Sequence, residues 1–191
     1  RSFLNDYGKN GALFAGHPEF EKAPGIEISS GSLGHGPSIG AGIAHACKLN
    51  NQTSRIFVIV GDGETNEGSV WEAILCASQL KLDNFYLLFD NNKLESLDKT
   101  NNILSIEPID EKLESFGFET TRCNGHDFKE LDLTFKNLDR KGNGKPKAII
   151  LDTIKAYGIS FTQGVTKWHY RSPTEEELKK GIKELDDIIN A

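Results

Sequence analysis

Acidic and amide side chains directly follow two apolar segments of this sequence. Gly61-Asp62-Gly63 follows residues 55–60, and Asp90-Asn91-Asn92 follows residues 85–89. Carboxylate and amide oxygens are hard donors that suit Mg²⁺, which commonly takes few protein ligands and completes its shell with phosphate and water. Either triplet alone is more typical of a turn. At matched strand ends, with glycines that leave room for an anion, the two together predict a site for a Mg²⁺-bound diphosphate.

A glycine-rich loop precedes both triplets. Residues 29–42 contain five glycines, of which the first three suit a tight turn that lets the backbone approach a ligand. Pro37 fits the first turn of a helix that continues through Ala46, and the small residues along it predict close packing against a neighbour. The five are Gly31, Gly34, Gly36, Gly40 and Gly42.

The elements that position these residues are those of an α/β protein with a mostly parallel sheet. Residues 55–60 and 85–89 are continuous apolar runs, a pattern typical of strands buried on both faces. Ser69 and Glu72 have the spacing of a capping box at the start of the helix between them. This βαβ unit predicts parallel strands, which bind ligands at their carboxyl ends. Helices are also predicted over 108–116, 128–138 and from 172–174 onward, strands over 119–123 and 148–153, a polar turn over 140–146 and a loop over 155–171.

The composition describes a globular protein rather than a disordered one. The chain has 191 residues, 37% hydrophobic and 26% charged, with a formal net charge of −6. The acidity argues against a nucleic-acid groove or an anionic membrane surface as partner. No apolar run reaches the length of a membrane span, no signal peptide is visible, and three cysteines without CxxC spacing suggest reduced thiols. We therefore expect a cytoplasmic protein, and the lack of methionine suggests a piece of a longer chain.

Longer motifs carry a resemblance to a known family. GDG followed by an asparagine thirty positions on (92 − 62 = 30) resembles the thiamine diphosphate signature. The run GDGETNEGSVWEAILCASQLKLDNFYLLFDNNK is similar to transketolase in particular, through NEG-x-VWEA and KLDN. AGHPEF, SSGSLGHGPSIGAGIA, NGHDFKEL and TIKAYGISF…KWH follow in transketolase order, so the resemblance covers nearly the whole chain. GSLGHG is most similar to the N-terminal subunits of split transketolases.

The resemblance implies a fold, a cofactor and a metal site. The fold is the three-layer thiamine-diphosphate-binding fold, with residues 1–191 forming one diphosphate-binding domain that lacks its N-terminal start. The cofactors are thiamine diphosphate and Mg²⁺, for which Ca²⁺ or Mn²⁺ can substitute. The implied metal ligands are Asp62, Asn92 and the backbone carbonyl of Leu94. Asp62, Asn92, Gly61 and Gly63 are implied to bind the cofactor at its diphosphate end, and Gly31 and Leu33 near its aminopyrimidine.

The resemblance also implies residues that act on substrate. His17 matches a family histidine that contacts donor-substrate hydroxyls. His169 matches one on the diphosphate side of the cofactor, and Glu67 matches a glutamate at the subunit interface that links paired sites. Taken alone, lone histidines of this kind are more often structural. By the same reasoning, His45 is structural, His126 is a hydrogen-bonding residue of a loop, and the role of His35 stays open. Glu72 is interpreted as a helix cap, and Trp168 as a residue that lines the pocket.

The implied activity is transfer of a two-carbon ketol unit from a ketose or ketose phosphate to an aldose or aldose phosphate. Such chemistry needs a carboxylate from a pyrimidine-binding domain, which we do not find here. We therefore expect a pyrimidine-domain subunit in trans, in a dimer of heterodimers or with homodimeric contacts, and no ketol transfer by this chain alone. The alternatives are a deoxyxylulose-phosphate synthase-like or 2-oxoacid dehydrogenase E1-like subunit, or a non-catalytic cofactor-binding subunit.

Three departures from the family pattern accompany the resemblance. The HPGG helix and the SKGHA strand that precede the GHP segment in the family are absent from this sequence. KAYG stands in place of the usual KGKG, and residues 95–98 replace the commoner glutamine-containing segment. These differences bear on substrate contacts more than on the metal.

Overall fold

The computed structural model describes residues 5–139 and 143–190 of the chain. The first three residues of the predicted polar turn over 140–146 lie outside these ranges. Within these ranges, four strands form one parallel sheet in the order β1-β2-β4-β3. Their bounds are β1 Ile56–Gly61, β2 Phe85–Asn91, β3 Glu119–Asn124 and β4 Lys147–Asp152. The predicted α/β class with a parallel sheet is confirmed.

Helices pack on both faces of this sheet. The helices are α1 His35–Leu49, α2 Gly68–Gln79, α3 Thr100–Ile103, α4 Ile109–Ser115, α5 Phe128–Asp139 and α6 Glu175–Ile189. The larger apolar core joins α1, α2 and α4 to one face of the sheet, and a smaller core joins α5 to the other. Along β2, Phe85, Leu87 and Phe89 enter the larger core, whereas Tyr86 and Leu88 enter the smaller one. Alternate side chains of β2 therefore enter cores on opposite faces of the sheet, so that the sheet lies between two layers of helices.

The prediction that the first strand is buried on both faces is wrong. Phe57 is 46% exposed and Ile59 is 69% exposed, although Val60 is fully buried. β1 lies at one edge of the described sheet, where α1 covers only the face that carries Val58 and Val60. The apolar run was a sound indicator of a strand, but the second face of β1 has no covering element among the described residues.

The capping box predicted at Ser69 and Glu72 is also wrong. α2 begins at Gly68, so Ser69 already lies inside the helix, and its hydroxyl donates to the carbonyl of Gly34 instead. A capping box does form at α6, where Thr174 and Glu177 exchange side-chain and backbone hydrogen bonds. The predicted loop over 155–171 contains a short 3₁₀ turn, Thr166–His169.

The small residues of α1 allow the close packing that the sequence predicts. A Cβ atom added at Gly40 would lie 2.3 Å from Cγ2 of Val58 and 3.1 Å from the ring of Phe85. α1 therefore approaches the sheet at the distance that glycine permits. Among the described helices, none is long and apolar enough to cross a membrane.

The strand register brings the polar strand ends to one level. Gly61 pairs with Asp90, and Asp152 pairs with both Asn91 and Asn124. Because all strands are parallel, these residues lie together at the carboxyl edge of the sheet, where ligands bind in open α/β sheets.

Candidate functional site

Asp62 lies at the carboxyl edge of the sheet and is almost fully buried, with 2% exposure. Oδ1 accepts the N–H of Gly63 at 2.8 Å. Oδ2 accepts the N–H of Lys93 at 2.6 Å and the hydroxyl of Thr100 at 3.2 Å. Burial raises the pKa of Asp62 above its ordinary value, although these three donors act to lower it. The carboxylate is therefore held rigidly while part of its charge remains uncompensated.

The segment after β2 is attached directly to this carboxylate. The Lys93 N–H that Asp62 accepts belongs to the residue between Asn92 and Leu94, and Lys93 has a left-handed φ of 65°. Asn92 Oδ1 accepts the N–H of Leu94 at 3.0 Å, and its amide donates to Asp90 at 3.1 Å. The structure thus brings together Asp62, Asn92 and Leu94, the three residues expected to bind metal.

Leu94 opens a small hairpin whose hydrogen bonds leave its own carbonyl outside the ladder. Thr100 donates to the carbonyl of Lys93 at 3.1 Å, and Glu95 donates to that of Asp98 at 2.8 Å. Leu94 and Lys99 pair between these two bonds. The Leu94 carbonyl is therefore not consumed by the hairpin.

A second carboxylate faces the same loop. Glu95 accepts a hydrogen bond from Asn66 at 3.3 Å, and a Cβ atom on Gly63 would lie 2.8 Å from Cγ of Glu95. Burial, and secondly the charge of Asp62, raises the pKa of Glu95. Asp90 adds to the negative potential at Asp62. A cation placed among these groups would gain favourable electrostatic energy from all of them.

The donor set suits a divalent cation with few protein ligands. Asp62 Oδ1 accepts one hydrogen bond and Asn92 Oδ1 accepts one, so each oxygen keeps a lone pair for a further partner. A carboxylate oxygen, an amide oxygen and a backbone carbonyl are hard ligands of the kind Mg²⁺ prefers. Within the described ranges, no group of three or more His, Cys, Asp or Glu residues could hold a metal ion. Asp62, Asn92 and the Leu94 carbonyl fit the metal that the sequence predicts because their oxygens can accept a further partner, with the rest of the shell left to other ligands.

His17 and Gly31, predicted from separate motifs, are in contact. A Cβ atom on Gly31 would lie 2.4 Å from Cδ2 of the His17 ring, and Gly31 has a φ of +124°. The hydrogen bond from Ser30 N to the carbonyl of Pro18, at 3.2 Å, joins the same two segments. Leu33 is 58% exposed and lines a cleft of about 680 Å³ beside Gly31. The glycine loop and the histidine loop therefore form one surface.

The remaining predicted residues are less closely tied to this edge. Glu67 is exposed and stands at the N-cap of α2, with its Cβ near Gly34. His169 is exposed at the end of the 3₁₀ turn, and the described contacts do not connect it to Asp62 or Asn92. Trp168 packs edge-on against Phe161.

Two further histidines lie within hydrogen-bonding distance of backbone groups. His126 accepts the N–H of Ile154 at 2.8 Å and stacks on Tyr157 at 4.0 Å, so it is a loop hydrogen-bonder as predicted. His35, which the sequence left open, has Nδ1 3.1 Å from the carbonyl of Leu33.

Two residues of the site, Glu64 and Thr100, were not predicted from the sequence. Glu64 accepts the N–H of Gly34 at 2.9 Å and that of Gly61 at 3.2 Å, so it links the glycine loop to the end of β1. Its signal was an acidic residue directly after GDG. Thr100 binds Asp62 from 38 positions away, and no local pattern marks it.

Comparison of the chain with known proteins identifies the family to which it is similar. The family described as transketolase, thiamine diphosphate binding domain, matches residues 2–185. A protein of Actinobacillus succinogenes, named as a subunit of apulose-4-phosphate transketolase, is 40% identical over 185 residues, which is 97% of this chain and 66% of that protein. The 6-deoxy-6-sulfo-D-fructose transketolase subunit SqwG of a Clostridium species is 33% identical over 183 residues, 96% of this chain and 66% of that protein.

A solved structure agrees in fold. Transketolase from Campylobacter jejuni superposes with a TM-score of 0.90 at 30% identity, covering 97% of this chain and 30% of that chain. The chain thus spans 66% of the length of the two curated relatives and a smaller share of the solved enzyme. From its sequence and its fold, the chain belongs to the transketolase family, and residues 2–185 match that family's thiamine diphosphate binding domain.

Proposed function

We propose that this chain is the diphosphate-binding subunit of a split transketolase, which transfers a two-carbon ketol unit from a ketose to an aldose. The observation that carries the proposal is the hydrogen bond from Lys93 N–H to Asp62, which joins the GDG loop to the Asn92–Leu94 segment. The family match and the relatives named as transketolase subunits support the same function. The alternative thiamine diphosphate enzymes gain no support from these relatives.

In this proposal Mg²⁺ binds to Asp62, Asn92 and the Leu94 carbonyl. Gly61 and Gly63 leave room for the diphosphate, whose charge the metal neutralises in a protein of net charge −6. Gly31 and Leu33 stand beside the other end of the cofactor. When bound, thiamine diphosphate supplies the nucleophilic carbon that ketol transfer requires.

The histidines are proposed to handle protons and hydroxyl groups. Histidine suits this work because its ordinary pKa lies near neutrality, so it can donate or accept a proton at little cost. His17 lies against Gly31, and we assign it to the donor-substrate hydroxyls. His169 is assigned to the diphosphate side, and Glu67 to the contact with a partner subunit.

The partner and substrates follow from the relatives. Both are named as subunits, which supports a pyrimidine-domain subunit in trans for this chain. The names of these relatives give an apulose phosphate and a sulfonated deoxyfructose as their substrates. We therefore assign this chain a sugar or sugar phosphate as substrate. We also propose a location in the cytoplasm, which the three free cysteines support.

The metal assignment is tested by Asp62→Asn. We expect this change to abolish Mg²⁺-dependent binding of thiamine diphosphate, measured by titration calorimetry on the intact protein. Asp132→Asn, at an exposed i,i+4 ion pair on α5, is the control and should bind as the natural protein does. Unchanged binding by the Asp62 variant would refute the metal site.

The proposed need for a partner calls for a separate experiment. Ketol transfer should be absent from the purified chain and present after addition of a pyrimidine-domain subunit. Turnover by the chain alone would contradict the requirement for a partner. No turnover with any acceptor, with the partner present, would favour a non-catalytic role in cofactor binding.

A further inference from the structure

Glu64 uses both oxygens of one carboxylate to join two loops that are distant in sequence. Oε1 accepts the N–H of Gly34 at 2.9 Å, and Oε2 accepts the N–H of Gly61 at 3.2 Å. Gly34 is the N-cap of α1, whereas Gly61 is the last residue of β1. Hydrogen bonds to a charged acceptor are stronger than neutral ones, so this bridge is a firm connection.

Gly34 is held from its other side as well. Ser69, in the first turn of α2, donates its hydroxyl to the Gly34 carbonyl at 2.9 Å. Gly34 has a left-handed φ of +77°, and a Cβ atom there would lie 2.5 Å from Ser69 Oγ and 2.7 Å from Cβ of Glu67. The segment after β1 therefore captures both the N–H and the carbonyl of a residue that only glycine can occupy.

Gly34 is the last residue of the loop that lines the cleft. Gly31 and Leu33 precede Gly34 by three residues and one residue, and both line the cleft of about 680 Å³ that Glu64 also faces. Asp62 lies on the other side of Gly61, one residue after it. Glu64 thus connects the end of the Gly31–Leu33 loop to the residue that precedes Asp62.

We propose that Glu64 is a positioning residue, which holds the Gly31–Leu33 loop at the distance from Asp62 that a cofactor bound at both ends requires. The inference rests on the proposed function, since it assigns the two ends of the cofactor to these two loops. β1 is fixed in the sheet by its pairing with β2, so loss of Glu64 releases the loop and leaves Asp62 in place. The effect therefore falls on the thiamine end of the ligand and not on its diphosphate.

The experiment compares two ligands on the intact natural protein with Mg²⁺ at saturation. Titration calorimetry measures the Kd of thiamine diphosphate, which contacts both loops, and of inorganic pyrophosphate, which reaches only the metal end. In Glu64→Ala we expect the Kd of thiamine diphosphate to rise about tenfold, because two charge-assisted hydrogen bonds are lost. The Kd of pyrophosphate should change less than about twofold.

Three further variants sharpen the comparison. Glu64→Gln keeps one acceptor oxygen and should give an intermediate Kd for thiamine diphosphate. Ser69→Ala removes the second anchor on Gly34 and should act in the same direction. Glu72→Ala is the control, since Glu72 is exposed on α2 and makes no hydrogen bond or ion pair within the described residues.

The outcomes separate the two proposals. Equal loss of both ligands in Glu64→Ala, or no change in either, would overturn the positioning role and leave the proposed function standing. Failure of the natural protein to bind either ligand, both alone and with its pyrimidine-domain partner added, would overturn the proposed function, and the positioning role with it. Faster amide exchange over residues 30–36 in Glu64→Ala, with residues 85–89 unchanged, is the accompanying result that the positioning role of Glu64 requires.

Discussion

At the scale of single residues, the site is organised around one buried carboxylate. Asp62 accepts three hydrogen bonds, two from backbone N–H groups and one from Thr100. Burying a charge is unfavourable unless it is well paired, and here Glu95 and Asp90 add charge of the same sign. A carboxylate placed in this way is poorly stabilised by the protein alone and well suited to a cation.

The hydroxyl of Thr100 is expected to affect metal affinity from outside the ligand set. It donates to Asp62 Oδ2 at 3.2 Å, whereas Oδ1 accepts one hydrogen bond, from Gly63, and keeps a lone pair for the proposed metal. Removing a group that orients a metal ligand typically weakens metal binding tenfold or more. Thr100→Val should therefore raise the Kd for Mn²⁺ about tenfold, as measured by electron paramagnetic resonance titration. Thr100→Ser, which restores the hydroxyl, should restore the affinity, and an unchanged Kd for the valine variant would contradict the role.

The residues recovered from sequence and those missed differ in how they reach the site. Asp62 and Asn92 stand directly after apolar strands, so the strand pattern and the parallel register suffice to place them at one edge. Glu64 and Thr100 act through hydrogen bonds to residues 30 and 38 positions away. Such pairings depend on how the loops fold back, which no local pattern encodes.

At the scale of elements, the approach of α1 to the sheet depends on one glycine. Gly40 faces Val58 and Phe85 with no space for a Cβ atom, whereas an added Cβ at Gly42 meets nothing within 4 Å. Because both positions lie on the same helix, substituting each one distinguishes the effect of packing, at Gly40, from that of helix propensity, at Gly42. The prediction of close packing from small residues was correct, but only the structure shows which glycine carries it.

Alanine at these two positions should therefore change the free energy of unfolding in opposite directions. Gly40→Ala should lower the free energy of unfolding by about 1–3 kcal/mol, because the new methyl group overlaps Val58. Gly42→Ala should raise it by about 0.5–1 kcal/mol, since alanine favours the helix where there is space. Urea denaturation measures both, and a destabilised Gly42→Ala would contradict this account.

A second contact between elements joins α5 to the end of the sheet at which β1 and β2 begin. Asp139 at the end of α5 accepts the hydroxyl of Tyr86 in β2 at 2.6 Å and forms an ion pair with Arg55, just before β1. The Tyr86 hydrogen bond, followed by Arg55, lowers the pKa of Asp139 below its ordinary value. A carboxyl group with a lowered folded-state pKa contributes stability above its unfolded pKa, and that stability is lost as the pH falls.

Asp139→Asn should therefore be destabilising at pH 7 and nearly neutral in acid. We expect a loss of about 1 kcal/mol at pH 7, limited by solvent screening, since both charged partners are partly exposed. The difference from the natural protein should shrink as the pH falls below about 4. Asp132→Asn on the same helix is the matched control, and its effect should be smaller, about 0.3 kcal/mol. A pH-independent loss in the Asp139 variant would exclude this ionisation as the cause.

At the scale of the whole molecule, stability is distributed unevenly from the centre of the sheet outwards. β2 lies between β1 and β4, and Phe85 to Phe89 are buried on both faces. β1 keeps one face largely exposed, contrary to the prediction from sequence, because an apolar run shows that a strand forms and not what covers it. The sequence likewise predicts a final helix from residues 172–174 onward, but it does not show what this helix packs against.

Among the described residues, the hydrogen bonds and close contacts of α6 are made with the loop over 154–173. Gly181 lies against Ile159 and Phe161, and Glu184 accepts both the N–H and the hydroxyl of Ser160. Within the described residues these contacts hold the helix, while Leu178 and Ile182 on it stay about half exposed, at 51% and 50%. A helix held by a loop can open without disturbing the core.

Amide hydrogen exchange should reveal this gradient directly. We expect residues 85–89 and 147–150 to exchange only through global unfolding, because the central strands are buried in both cores. Residues of α6 should exchange at least about tenfold faster, through local opening, in mass spectrometry of the unliganded protein. Proline introduced at Ile182, a mid-helix position, should unfold α6 and leave the exchange of residues 85–89 unchanged. Slow exchange of α6 that tracks β2 would show instead that the helix belongs to the same cooperative unit as the sheet.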